Sequence, residues 1–150
     1  MIPEGALLLF DTNILVHVIR RDRIGRRLLE DHELLTRGDT PLISYVTLGE
    51  LDVLANSFGW GEQKREFVET IRMNLVVVPI EDNSILENYV ELDTFGQSTG
   101  RQLGKNDLWI EATALAADAH LLTTDKDFKP LGKEHIDLVL IDPNTGKRIF

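Results

Sequence analysis

Apolar residues in this chain fall into short continuous runs that alternate with longer stretches of helical spacing. Residues 6–10 (A-L-L-L-F) form the first run, the pattern of a strand buried on both faces. Asp11-Thr12-Asn13 ends it, and Asn13 is placed to cap a helix starting at Ile14. Over 14–36 the residues Ile14, Val18, Leu28, Leu29, Leu34 and Leu35 keep helical spacing, and Gly25 with its charged neighbours predicts two helices or a kink. A turn at 38–41 leads to a short strand at 42–44. Helices are expected over 46–57 and 62–73, separated by Gly59-Trp60-Gly61. Residues 75–80 (L-V-V-V-P-I) are the most β-branched run, and Pro79 suits an edge strand. A helix follows over 82–94, and the glycine-rich polar stretch 95–105 reads as a loop or a frayed helix. The pattern then predicts a helix over 107–120 and strands at 121–124 and 138–141, the last ended by Asp142-Pro143-Asn144. Strands alternating with helices in short units predict an open, mostly parallel α/β sheet. With no repeat, low-complexity tract or linker, residues 1–150 read as a single domain.

Composition narrows the function classes. The chain has 43% hydrophobic and 27% charged residues, ordinary for a globular protein. It has no cysteine, so disulfides, thiolate metal sites and a cysteine nucleophile are excluded, and a reducing cytoplasm is the compatible compartment. The N-terminus lacks the basic start of a signal peptide, and no apolar stretch nears the ~20 residues that span a bilayer. The net charge of −9 argues against a plain nucleic-acid-binding module. It argues less against a metal nuclease, because bound divalent ions would cancel part of it.

Four acidic residues stand beside strongly apolar segments, where a carboxylate is costly: Asp11 in L-L-L-F-D-T-N, Glu50 in V-T-L-G-E-L, Asp107 in N-D-L-W-I-E-A and Asp125 in L-L-T-T-D-K-D. Ligands of an open parallel sheet bind beyond the carboxyl ends of its strands. Asp11 and Asp125 each follow a strand directly, and neighbouring strands would bring them together. Glu50 and Asp107 lie on helices that can reach the same edge. Clustered carboxylates raise one another's pKa, whereas a hard cation such as Mg²⁺ prefers such oxygens. An ion held there can promote phosphodiester hydrolysis. Taken singly, each residue has a plain alternative: Asp11 as a strand-ending turn residue, Glu50 as an exposed helix residue, Asp107 as a first-turn acid facing the helix dipole, and Asp125 or Asp127 as loop acids. Arg101 and Lys105, shortly before Asp107, are candidates for gripping a phosphate. The arginines from Arg20 to Arg27 suit either contact with phosphates or a solvated helix face. His17, His32, His120 and His135 lack ligand spacing, and Trp109 suits core packing better than base stacking.

The segments L-L-L-F-D-T-N-I-L, I-S-Y-V-T-L-G-E-L, N-D-L-W-I-E-A-T-A-L-A and L-L-T-T-D-K-D-F, in this order, resemble those of PIN-domain ribonucleases, most closely VapC-type toxins of toxin–antitoxin pairs. The resemblance spans nearly the whole chain. It implies a three-layer sandwich with helices on both sides of a mostly parallel sheet of about five strands. It implies Mg²⁺ or Mn²⁺ held by Asp11, Glu50, Asp107 and Asp125, with Asn13 and Thr124 orienting those carboxylates by hydrogen bonds. It further implies an RNA substrate, a homodimer and a cognate antitoxin. Glu111 departs from the pattern, standing where the family more often has alanine. Four residues after Asp107, it reads either as an outer contributor to the site or as a solvated side chain. Asp127 is the alternative to Asp125. Two other readings are a catalytically weak PIN-like binding module and a metal-dependent phosphatase. The phosphatase needs a second acid two residues after the first, where this chain has Asn13.

Overall fold

The computed structural model describes residues 2–131 and 135–150. Along them run β1 (Leu8–Phe10), α1 (Thr12–Arg20), α2 (Arg23–Glu30), β2 (Leu42–Ser44), α3 (Tyr45–Ser57), α4 (Glu62–Asn74), β3 (Val76–Val78), α5 (Asn83–Thr99), α6 (Lys105–Ala116), β4 (His120–Thr123) and β5 (Leu138–Leu140). The strands form one parallel sheet in the order β3-β2-β1-β4-β5. The sheet is therefore wholly parallel where the sequence predicts a mostly parallel one. β3, followed by Pro79, lies at the edge, where a residue without an N–H does least harm.

Neighbouring strand residues point to opposite faces, and both faces are covered. Leu8, Phe10, Ile43, Leu122 and Val139 pack with Ile14 and Val18 of α1, Leu28 of α2, Leu51 of α3 and Ile71 of α4. Leu9, Leu42, Leu121, Leu138 and Leu140 pack on the other face with Ile110 and Ala114 of α6. α5 seals the outside of α6 through Ile85 and Leu92 against Leu108 and Ala112. Burial on both faces explains why the strands read as continuous apolar runs rather than alternating ones. The result is the three-layer α/β/α sandwich. Its chain moves outward from β1 to β2 and β3, then returns to place β4 on the other side of β1. That reversal leaves a crevice at the carboxyl ends of β1 and β4.

Several boundaries differ from expectation. Asp11, not Asn13, caps α1, so the helix starts at Thr12 with only Asp11 between it and β1. α1 and α2 break at Arg21, which is left-handed (φ 50°), and Asp22 caps α2 by accepting from the Gly25 N–H. Gly25 sits inside α2 rather than between helices. A Cβ there would lie 2.0 Å from the His17 carbonyl oxygen, so glycine lets the two helices close on each other. α5 runs on through Thr99 and stops at Gly100 (φ 69°), so the first half of the expected loop is helical. α6 ends at Ala116, and His120 already belongs to β4. Among the described residues no helix is long and apolar enough to cross a membrane.

Candidate active site

Strand register builds the centre of the site. Phe10 is level with Leu122, and the Asp11 N–H donates to the Leu122 carbonyl at 2.9 Å, so Asp11 lies beside Thr123. Asp11 is only 4% exposed. One of its oxygens accepts from the Thr12 N–H (2.7 Å) and the other from the Thr123 hydroxyl (2.6 Å). Burial pushes its carboxyl up to about 7, against the pull of those two hydrogen bonds and with help from the charges of Asp107 and Glu50.

The same hydroxyls tie in the neighbours. Thr123 Oγ1 also accepts from the Asp125 N–H (3.0 Å), linking the ends of β1 and β4. Asn13 Oδ1 accepts from the Thr124 N–H at 3.3 Å, a second tie between the same two strand ends. Thr12 donates to Glu50 Oε1 (2.7 Å) and lies 3.1 Å from the Thr47 hydroxyl, which fixes the Glu50 carboxylate of α3 over the start of α1. Asp125 then caps a single 3-10 turn at Lys126–Phe128 by accepting from the Asp127 N–H at 2.9 Å.

Asp107 enters from the first turn of α6 and is half-buried. Burial lifts its carboxyl to about 6, aided by the charges of Asp125, Glu50 and Asp127. These couplings place Asp11, Glu50, Asp107, Asp125 and Asp127 in one electrostatic neighbourhood. Glu111, one turn further along α6, has no exposed surface. Neither of its oxygens has a hydrogen-bond partner among the described residues. Burial, and then the Asp107 charge, raise its carboxyl to about 8. The solvated reading of Glu111 is thereby corrected: it is a buried carboxyl group facing the interior.

A family model, the PIN domain, matches residues 8–134 of the chain. The chain belongs to the PIN-domain family. Among curated relatives, the Rickettsia felis protein named Ribonuclease VapC2 is 31% identical over 124 residues, covering 81% of this chain and 89% of that protein. Among solved structures, VapBC2 of Rickettsia felis bound to a promoter DNA fragment superposes with a TM-score of 0.74 at 27% identity, covering 88% of this chain and 96% of that one. VapBC-1 of nontypeable Haemophilus influenzae gives 0.70 at 26% identity, covering 89% and 97%.

In this PIN-domain protein the acidic residues singled out from sequence do converge, but the groups that orient them differ in part. The Thr123 hydroxyl, not the Thr124 side chain, holds Asp11, and Thr124 contributes only its backbone N–H to Asn13. The hydroxyls of Thr12 and Thr47 add to the groups expected from the sequence. Their signal was available in T-N and S-Y-V-T-L-G-E, because a helix brings Thr47 and Glu50 onto one face three residues apart. Lys105 is directed away to Asp93 of α5 (3.3 Å), and Arg101 lines a groove with Lys126 and Lys129. Trp109 stacks on Tyr89 with centroids 4.0 Å apart, and Trp60 is buried, so both serve packing. No described Lys, Arg or His is ion-paired with a carboxylate of the cluster; the described pairs involve other acids. Among the described residues no three His, Cys, Asp or Glu side chains stand close enough to enclose an ion unaided. The donor set, hard carboxylate oxygens with no ion pair to a described cation, suits an ion that keeps part of its water shell.

Proposed function

We propose that this protein is a divalent-metal-dependent endoribonuclease and the toxin of a toxin–antitoxin pair. The observation that carries the reading is the gathering of Asp11, Glu50, Asp107 and Asp125 at the reversal point of a parallel sheet, with Asp11 and Glu50 held by hydroxyls and a backbone N–H rather than by cations. The Ribonuclease VapC2 relative and the VapBC neighbours support the substrate class and the antitoxin.

Mg²⁺ or Mn²⁺ bound there would polarise the scissile phosphate and lower the pKa of water. The chain's own residues supply the rest. Asp11 is fixed at both oxygens, so its position is set before substrate arrives. Glu50 is fixed through Thr12. Asp107, half-exposed in the first turn of α6, is placed to accept a proton leaving the attacking water. Asp125 stands at the open edge, with Asp127 behind it on the 3-10 turn. Asn13 braces the ends of β1 and β4 by accepting from the Thr124 N–H. A homodimer is the assembly in which we expect the toxin to act.

The test uses purified protein and a panel of RNAs. Cleavage that needs Mg²⁺ or Mn²⁺, stops with EDTA and is lost in Asp11→Asn and Asp107→Asn is the expected result. Cleavage that survives both substitutions would refute the site. A small protein encoded beside this chain should bind it and suppress the cleavage.

A further inference from the structure

We infer that the groove beside the acidic cluster, walled by Arg101, Lys126 and Lys129, holds the backbone of a single RNA strand next to the bond being cut. The inference rests on the ribonuclease reading and adds to it where the substrate lies. The groove encloses about 700 Å³ and is lined by Phe95 and Thr99 of α5, Arg101 of the α5–α6 connection, and Lys126, Asp127 and Lys129 from the segment after β4.

Its placement follows from the fold. One wall belongs to the connection that delivers Asp107 at the start of α6. The other begins at the residue after Asp125. Asp127 marks the end nearest the site, because its charge acts on Asp107. A strand leaving the carboxylates in that direction enters the groove at once.

Charge makes the case for a polyanion. The chain carries 25 acidic and 16 basic residues, and several of its cations are committed. Arg72 pairs with Asp52 and Glu69, Arg27 with Asp31, and Lys105 with Asp93. Arg101, Lys126 and Lys129 have no ion pair among the described residues, yet all three are exposed and face one cleft. In a protein of net charge −9, such a convergence is the local positive field a phosphate chain needs to approach an acidic centre. Lys129 also lies over the Phe150 ring, with Nζ 5.8 Å from the centroid, which holds its stem to the groove wall. Phe95 lines the same groove half-buried, packed on the α5–α6 core and in a T-shaped contact with His135 (centroids 4.5 Å), and an aromatic ring on a groove wall accepts any base by stacking. Cations at the rim with one ring on the wall match single-stranded RNA better than a duplex.

The test combines binding and kinetics on the full chain. Binding of a fluorescein-labelled single-stranded RNA is measured against salt in an Asp11→Asn background, which prevents cutting. Replacing Arg101, Lys126 and Lys129 together with alanine should lower the slope of log Kd against log salt by about 2, at ~0.7 per lost phosphate contact. In the cleaving protein the same triple change should raise KM at least about tenfold, with kcat within threefold. Lys126→Glu with Lys129→Glu should raise KM further. Lys64→Ala, on α4 across the sheet, should change neither quantity. A triple variant with wild-type slope and KM, in a protein that cuts RNA, overturns the groove and leaves the ribonuclease reading intact. RNA bound with the expected slope but never cut upholds the groove and sinks the ribonuclease. No RNA binding, with an acidic peptide bound instead, overturns the inference in favour of a protein ligand.

Discussion

Glu111→Gln should stabilise the metal-free protein, and by an amount that depends on pH. The side chain is fully buried, and both oxygens lack hydrogen-bond partners among the described residues. Its carboxyl rises from 4.5 to about 8 in the fold. A carboxyl group whose pKa is raised on folding weakens the fold above its unfolded value, where the unfolded chain ionises it freely and the fold resists. The penalty is absent below pH 4.5, grows through neutrality and levels off above pH 8. At pH 7 the gap above 4.5 is 2.5 pH units, and at about 1.4 kcal/mol each the penalty is ~3 kcal/mol. Glutamine copies the protonated form in shape but cannot ionise. In EDTA at pH 7 its melting temperature should exceed the wild type's by roughly 6–12 °C, at ~2–4 °C per kcal/mol for a chain of this size. Denaturant unfolding from pH 4.5 to 8.5 gives the decisive measurement, the difference between the two proteins at each pH. It should be near zero at the acid end and climb to ~5 kcal/mol. Glu111→Met, which removes the unpartnered oxygens as well, should gain at least as much. A difference that is flat with pH, or below ~1 kcal/mol at pH 7, would refute the buried, resisted ionisation.

The other predictions concern the cluster directly. Asp11→Asn should keep the fold by circular dichroism and lower the cleavage rate at least about a hundredfold, the scale of losing a metal-holding group. Thr123→Val removes the hydroxyl that stabilises ionised Asp11. It should cost about 1.5–3 kcal/mol at pH 8 in denaturant unfolding and shift the alkaline rise of activity to higher pH, with Thr123→Ser restoring both. Mg²⁺ should raise the melting temperature, equivalent to ~2.7 kcal/mol at a hundred times its Kd. That shift should fade as pH falls from 8 to 5, because Asp11 and Asp107, at about 7 and about 6, then hold protons the ion must displace. Calorimetry at pH 6.5 should show proton release on Mg²⁺ binding, and a pH-independent affinity would contradict those raised values.

Legibility in the sequence followed the range of the interactions involved. A strand buried on both faces announces itself as an apolar run, so β1, β2 and β4 are legible to within two residues, and with them Asp11 and Asp125 just past the ends of β1 and β4. Which strands are neighbours is a long-range property, and only the order β3-β2-β1-β4-β5 brings Asp11 beside Thr123. The orienting hydroxyl was therefore misplaced by one residue, to Thr124. A strand's side chains alternate faces, so that error was a choice between two directions that register alone decides. α5 was cut short for a different reason. Gly96, Ser98 and Thr99 weaken helix propensity, yet Gly96 is buried, with room for a Cβ only 3.3 Å from the Arg101 carbonyl oxygen. Packing of the chain against that glycine overrides local preference. Lys105 stood close to Asp107 in sequence, but Asp93, on the preceding helix, pulls it the other way.

Glu111 shows what the sequence pattern could not price. On a helical wheel it follows Asp107, and nothing in N-D-L-W-I-E-A separates a solvated glutamate from one sealed inside. In the fold it joins Asp11 and Asp107 as a third carboxyl group held above its ordinary range, with burial as the first cause in each case. A lysine or arginine beside any of them would have reversed those shifts and relieved the fold. At Asp11 and Glu50 the chain uses threonine hydroxyls and a backbone N–H instead, which fix direction while leaving the negative charge uncancelled, and Glu111 has no partner among the described residues. Such a cluster is least comfortable, without an ion, in the pH range where its carboxylates are ionised. On the metal-dependent reading proposed above, stability is withheld from the metal-free fold at the place where cation binding would return it, which would tie ordering of the site to its occupancy.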